Sequence, residues 1–165
     1  MAESPMLDTP TDLQRNDVRS VADALNASLA NAYALYLKTK NFHWHVSGPH
    51  FRDYHLLLDD QAAQILAVTD AIAERVRKIG GTTLRSVGDI SRRQTIVDND
   101  REFVPADDML AELRADNQRL VENFREVKAA AEAAKDNATS GIVDTWTDEA
   151  EERAWFLFEV TGKQG

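Results

Sequence analysis

The chain has 165 residues and a formal net charge of −9, from 28 acidic against 19 basic side chains. That length suits one domain around one core, and that balance counts against the broad basic face needed to bind a polyanion such as nucleic acid directly. With no cysteine there is no disulfide framework and no thiolate metal site; with no apolar run near the roughly 18 residues of a membrane span and no basic-then-apolar leader, a cytoplasmic protein is expected.

Residues 1–15 read as a short acidic tail, with Glu3, Asp8 and Asp12 against Arg15, and residues 16–165 as one helical domain. From Val18 to Val46, Leu25, Leu29, Tyr33, Tyr36 and Leu37 recur every three or four residues and mark an amphipathic helix. "VSGP" interrupts it, with Ser47 as the expected cap of a second helix and Pro49 near its first turn. That helix runs to Ile79, where Gly80-Gly81 stops it, and Arg75, Arg77 and Lys78 complement its dipole in the last turn. A short helix is expected over Val87–Arg93. Pro105 then opens a third long helix on the stripe Leu110, Leu113, Asn117, Leu120, Phe124, Val127 and Ala131. After a break at Asp136-Asn137, a fourth runs through Val143, Trp146, Ala150, Leu157 and Phe158 and ends before Gly162. No useful β-alternation appears. The fold class is all-α: a four-helix bundle with a short extra helix between the second and third long ones.

All four histidines, His43, His45, His50 and His55, fall within "HWHVSGPHFRDYH". Carboxylates follow at helical spacing. His55 and Asp59 are four apart, as are Asp70 and Glu74, so each pair lies about 40° apart on one face. The eleven residues from Asp59 to Asp70 make three turns to within about 20°, which places all four on one stripe. Imidazole with carboxylates and no sulfur suits iron, manganese or zinc. Along the axis, however, Asp59 and Asp70 are about 16 Å apart, whereas one metal needs ligands about 2 Å away. His43, just before the turn, joins the His55/Asp59 end and leaves Asp70 and Glu74 stranded. A two-fold axis resolves this. If two copies pack their second helices antiparallel, the Asp70/Glu74 end of one meets the His43/His55/Asp59 end of the other, twice per dimer. A ferritin-type centre within one bundle does not fit, because no Glu has a His three residues later.

"KNFHWHVSGPHFRDYHLLLDD…TDAIAER" resembles the signature of the Dps family, the DNA-binding proteins from starved cells or mini-ferritins, through Lys40, His43, Trp44, Gly48, His55, Asp59, Asp70, Glu74 and Arg75. The likeness spans nearly the whole chain. It implies a ferritin-like fold, a hollow homododecamer, and inter-subunit ferroxidase sites. There Fe(II) is oxidised, preferably by hydrogen peroxide, and stored as Fe(III) mineral, which protects DNA. His43, His55 and Asp59 carry over as ligands from one subunit and Asp70 and Glu74 from its partner. Zinc or manganese remain admissible substitutes.

The resemblance also implies that Trp44 lies near the iron, in a packing or a redox role. It implies that acidic residues near the start of the fourth helix line a three-fold pore for iron. Asp136, Asp144 and Asp148 occupy that region; the plainer reading makes Asp136 a helix cap and the other two solvated charges. His45 and His50 are outside the shared ligand set and are expected on the surface. Family members that bind DNA usually do so through a Lys-rich tail. The acidic N-terminus and the single lysine of "TGKQG" count against direct DNA binding, leaving a DNA-compacting stress protein with secondary iron chemistry as the alternative, nucleoid-associated within the cytoplasm.

Overall fold

The computed structural model describes Leu7 and residues 9–161. Glu3 and Asp8 of the expected tail, and Lys163, lie outside the described residues. Five helices follow in order: α1 (Arg15–His45), α2 (Phe51–Lys78), α3 (Val87–Arg93), α4 (Ala106–Ala133) and α5 (Asn137–Thr161). Among the described residues there is no strand, and no helix is long and apolar enough to cross a membrane.

α1 packs against α2 and α4, and α4 against α5, whereas α2 and α5 meet only sparsely. The 79–105 segment, which carries α3, is the crossover that joins the two hairpins. The C-terminus of α1 and the N-terminus of α2 therefore share one end of the bundle. The C-terminus of α5 is there too, as the bond from Tyr54 Oη to the Val160 carbonyl (3.4 Å) shows. The C-terminus of α2 and the start of α5 share the other end. The core is aliphatic and aromatic: Leu25, Leu29, Leu35, Phe42, Leu58, Ile65, Ile72, Leu110, Leu113, Leu120 and Phe124 are almost wholly buried. Each such side chain stabilises the fold by about 1.5–3 kcal/mol relative to exposure.

Ser47 does not cap α2. Its place is taken by His50, which makes no side-chain cap bond, and Pro49 lies in the turn before the helix. The reason is Gly48, whose φ of +118° turns the chain sharply and lets its carbonyl receive the Phe51 N–H (3.1 Å). Ser86 does cap α3, accepting from the Asp89 N–H (3.1 Å).

The crossover is held by asparagines that the apolar pattern does not register. Asn31 is 1% exposed, and its Nδ2 donates to Asn123 Oδ1 (2.7 Å) and Thr95 Oγ1 (2.9 Å). Its Oδ1 accepts the backbone N–H groups of Thr95 (2.8 Å) and Ile96 (3.1 Å). Asn26 donates through Nδ2 to the Thr82 carbonyl (2.9 Å) and accepts the Thr83 hydroxyl at Oδ1 (2.7 Å). Replacing Asn31 with Leu strands these buried groups. We expect a loss of about 2–3 kcal/mol in urea unfolding; an unchanged midpoint would show that the crossover does not depend on this hub.

Candidate metal centre

At the α1–α2 turn two imidazoles lie face to face. The His43 and His55 rings stack at 3.8 Å between centroids and 14° between planes, and Phe51 continues the stack beyond His55 at 5.0 Å. Each histidine is anchored on the other's backbone: Nδ1 of His43 donates to the His55 carbonyl (2.7 Å), and Nδ1 of His55 donates to the His43 carbonyl (2.8 Å). A carbonyl can only accept, so the proton of each neutral ring sits on Nδ1 and the Nε2 lone pair is left for a ligand. A ring nitrogen held by a carbonyl while the other faces the metal is the usual support for histidine ligands.

Asp59 completes this end. Its Oδ1 lies 3.7 Å from His43 Nε2 and accepts a 2.8 Å bond from Lys40 Nζ. That bond, and then the ammonium charge behind it, hold the Asp59 carboxyl below its ordinary pKa; desolvation opposes them, and the two imidazoles push in the lowering direction only when they carry a proton on both nitrogens. Asp59 is therefore a carboxylate whose charge is matched by Lys40. Lys40 also lies 6.0 Å from the centre of the Trp44 ring.

Asp70 and Glu74 are exposed on α2, three to four turns further on. Thus the structure gathers His43, His55 and Asp59 and keeps Asp70 and Glu74 apart from them. Among the described residues of one chain, no group of three or more histidine and acidic side chains could hold a metal ion. The polar groups at the centre of the bundle are of another kind. Arg153, 2% exposed, donates through Nε to Asn117 Oδ1 (2.8 Å), and Gln61 Nε2 donates to the Arg153 carbonyl (3.2 Å). Burial pushes the Arg153 guanidinium down to about 10, so at neutral pH it remains a cation. A buried cation at this position repels a metal from the bundle core.

The comparisons agree with this architecture. A family model described as Ferritin-like domain matches residues 22–163. An uncharacterised low temperature-induced protein of Nostoc sp. is 35% identical over 148 residues, covering 89% of this chain and 81% of that protein. The DNA protection during starvation protein of Halobacterium salinarum is 36% identical over 132 residues, 80% of this chain and 72% of that one. The crystal structure of an archaeal Dps homologue from Halobacterium salinarum matches with a TM-score of 0.90 at 29% identity, over 99% of this chain and 92% of that one. The chain belongs to the Dps family of mini-ferritins.

In this Dps chain the remaining candidates separate by their surroundings. Trp44 is 58% exposed, so it is not part of the chain's own core. His45 and His50 lie on the surface, His45 bonding back to Asn41. Asp136 is 5% exposed and caps α5: its Oδ1 accepts the Thr139 N–H (3.1 Å) and its Oδ2 the Thr139 hydroxyl. Asp144 is exposed and paired with Lys128 (2.9 Å), while Asp148 is exposed on the same helix. Arg75, read from sequence as a charge complementing the helix dipole, does stand in the last turn of α2 and also reaches across to Asp136 (3.1 Å) and Thr139 (2.7 Å).

Two outcomes are expected in the metal-free protein. Nitrogen-15 spectra should place both His43 and His55 in the Nδ1–H tautomer, and an Nε2–H signal from either would contradict the anchoring. Lys40→Met should let Asp59 titrate closer to its ordinary carboxylate value. The Lys40 pairing therefore favours the folded state above the ordinary carboxylate range and is lost as pH falls through the lowered value. A carboxyl-carbon titration that does not move would show that Lys40 leaves Asp59 unaffected.

Proposed function

We propose that this protein oxidises Fe(II), preferably with hydrogen peroxide, at sites shared by two chains, and stores the Fe(III) product as mineral inside a hollow dodecamer. One observation carries the reading. The exposed stripe of α2 runs Leu56, Asp59, Ala63, Leu66, Asp70, Glu74, with Leu56 45% and Leu66 41% exposed. His55 and Glu74 are centred between Gln64 and Ile65, and so are Asp59 and Asp70. A two-fold axis at that point brings His55 opposite the partner's Glu74 and Asp59 opposite the partner's Asp70. The residues at the crossing, Ala63, Leu66 and Ala67, are small or apolar, as a close antiparallel helix contact requires.

Iron is the substrate of such a site. The Nε2 atoms of His43 and His55 and the Asp59 carboxylate would receive Fe(II) from one side, in competition with the Lys40 ammonium for Asp59. Asp70 and Glu74 would close it from the other. Five ligands over two chains leave positions for a second iron, water or peroxide. Each peroxide takes two electrons and two protons to give two waters, so two Fe(II) become two Fe(III) with no one-electron oxygen radical released. This chemistry accounts for protection of DNA without contact, which suits an acidic chain acting in the cytoplasm. The names of the Halobacterium salinarum and Deinococcus radiodurans relatives, DNA protection during starvation proteins, support that role. Asp144 and Asp148 are the exposed carboxylates best placed to line a pore for iron; Asp136 is already committed to its cap. The donor set also accepts zinc or manganese.

The test is stopped-flow mixing of anaerobically Fe(II)-loaded cages with peroxide. Oxidation to soluble, cage-bound Fe(III) should be fast, and Asp70→Asn should abolish it with assembly intact. His43→Ala and Glu74→Gln chains, each impaired alone, should regain activity when co-assembled one to one. Random pairing leaves about a quarter of the sites intact. Mixed cages that recover nothing would refute the shared site.

A further inference from the structure

Four of the five proposed ligands ride on α2, so the roll of α2 about its own axis decides where they point. On the α1 side α2 presses a continuous apolar face, including Leu58, Ile65, Ile72 and Val76, into the core. Towards α5 the contact is sparse, and hydrogen bonds span it at three levels. Tyr54 and Gln61 each give a single bond to a backbone carbonyl, at 3.4 and 3.2 Å.

Arg75 is different in kind. Its Nε donates to Thr139 Oγ1 at 2.7 Å and its Nη2 to Asp136 Oδ1 at 3.1 Å. Asp136 is 5% and Thr139 0% exposed, and they are bonded to each other as the cap of α5. A planar guanidinium held at two points resists rotation as a single ammonium bond does not. The pairing with Asp136 also matches the Arg75 charge, so that it does not stand free beside Glu74 to repel an incoming cation.

The geometry makes such a fixture matter. A carboxylate at the rim of a helix rides about 6 Å from the axis, so a roll of about 10° displaces it by about 1 Å. Displacement of that size costs a reacting site on the order of a hundredfold in rate. We propose that Arg75 is the positioning residue of the Asp70/Glu74 half of the shared site: its two-point bond to the capped start of α5 fixes the roll of the last turns of α2, and so the direction in which these carboxylates face the second chain. The inference rests on the shared-site reading above.

A positioning role predicts which half of the site is damaged, and a general loss of stability does not. Assembled Arg75→Gln cages should bind Co(II), a spectroscopic stand-in that peroxide-free buffer does not oxidise, about tenfold more weakly than the unaltered protein. Their peroxide-dependent Fe(II) oxidation should fall about 10- to 100-fold, and Arg75→Lys should restore only part of each. Co-assembled with His43→Ala chains, Arg75→Gln chains should recover activity, since one site in each mixed dimer then has two sound halves. Co-assembled with Glu74→Gln chains they should recover none. Unchanged Co(II) affinity and oxidation, recovery with Glu74→Gln, or no recovery with His43→Ala would each overturn the assignment. If Arg75→Gln does not assemble, Thr139→Val, which removes one of the two anchors, takes its place in the same pairings. Failure of His43→Ala and Glu74→Gln to complement each other would be a separate result and would sink the shared site itself.

Discussion

A straight helix cannot bring its own two ends together, and α2 carries ligand-type side chains at both. About 16 Å of axial rise separates Asp59 from Asp70, and no bend in α2 shortens it, because Phe51–Lys78 is one unbroken helix. Much else follows from that separation. In the proposed site each end would offer only part of a coordination shell; the face between them is exposed and partly apolar, and the pairs His55/Glu74 and Asp59/Asp70 share one midpoint along α2. The centre of the bundle holds the buried guanidinium of Arg153, bonded to Asn117.

The other elements serve to present α2. α1 contributes His43 and, through the reciprocal ring-to-carbonyl bonds, sets the tautomer of both imidazoles. α5 contributes the capped turn that takes Arg75. The crossover, which enters the apolar core at only a few side chains such as Ile96 and Val104, is also fastened to α1 by Asn26 and Asn31. Polar bonds are used where apolar contact is thin, and each ties a specific residue to a specific place.

The helices were legible because their apolar stripes have the right period; the short α3 was expected over Val87–Arg93, while the Ser86 cap that starts it emerged only from the structure. The candidate residues stood out because histidines are rare in this chain and stand at helical spacing to carboxylates, and of these the structure gathers His43, His55 and Asp59 at one turn. Four features were less legible. Ser47 looks like a cap, but the left-handed φ of Gly48 moves the start of α2 past it, a matter of backbone geometry that composition does not reveal. Asn31 sits on a core-facing position and breaks the apolar pattern, yet which groups it satisfies depends on a segment 64 residues away. Arg75 reads locally as a dipole complement, and only the fold shows that it also clamps the start of α5. Lys40 had a signal of its own, four residues before Trp44 and within the family pattern, but its bond to Asp59 crosses the helix turn and needed coordinates.

The most direct test of the account is the position of the metal. Crystals of the assembled protein, grown and loaded with Fe(II) or Co(II) without oxygen, would show it by anomalous scattering at the metal edge. The account predicts density between the His43 and His55 rings and Asp59 of one chain and the Asp70 and Glu74 carboxylates of another, twice about each two-fold axis. Metal bound by ligands of one chain alone, or found in the bundle core near Arg153, would contradict it.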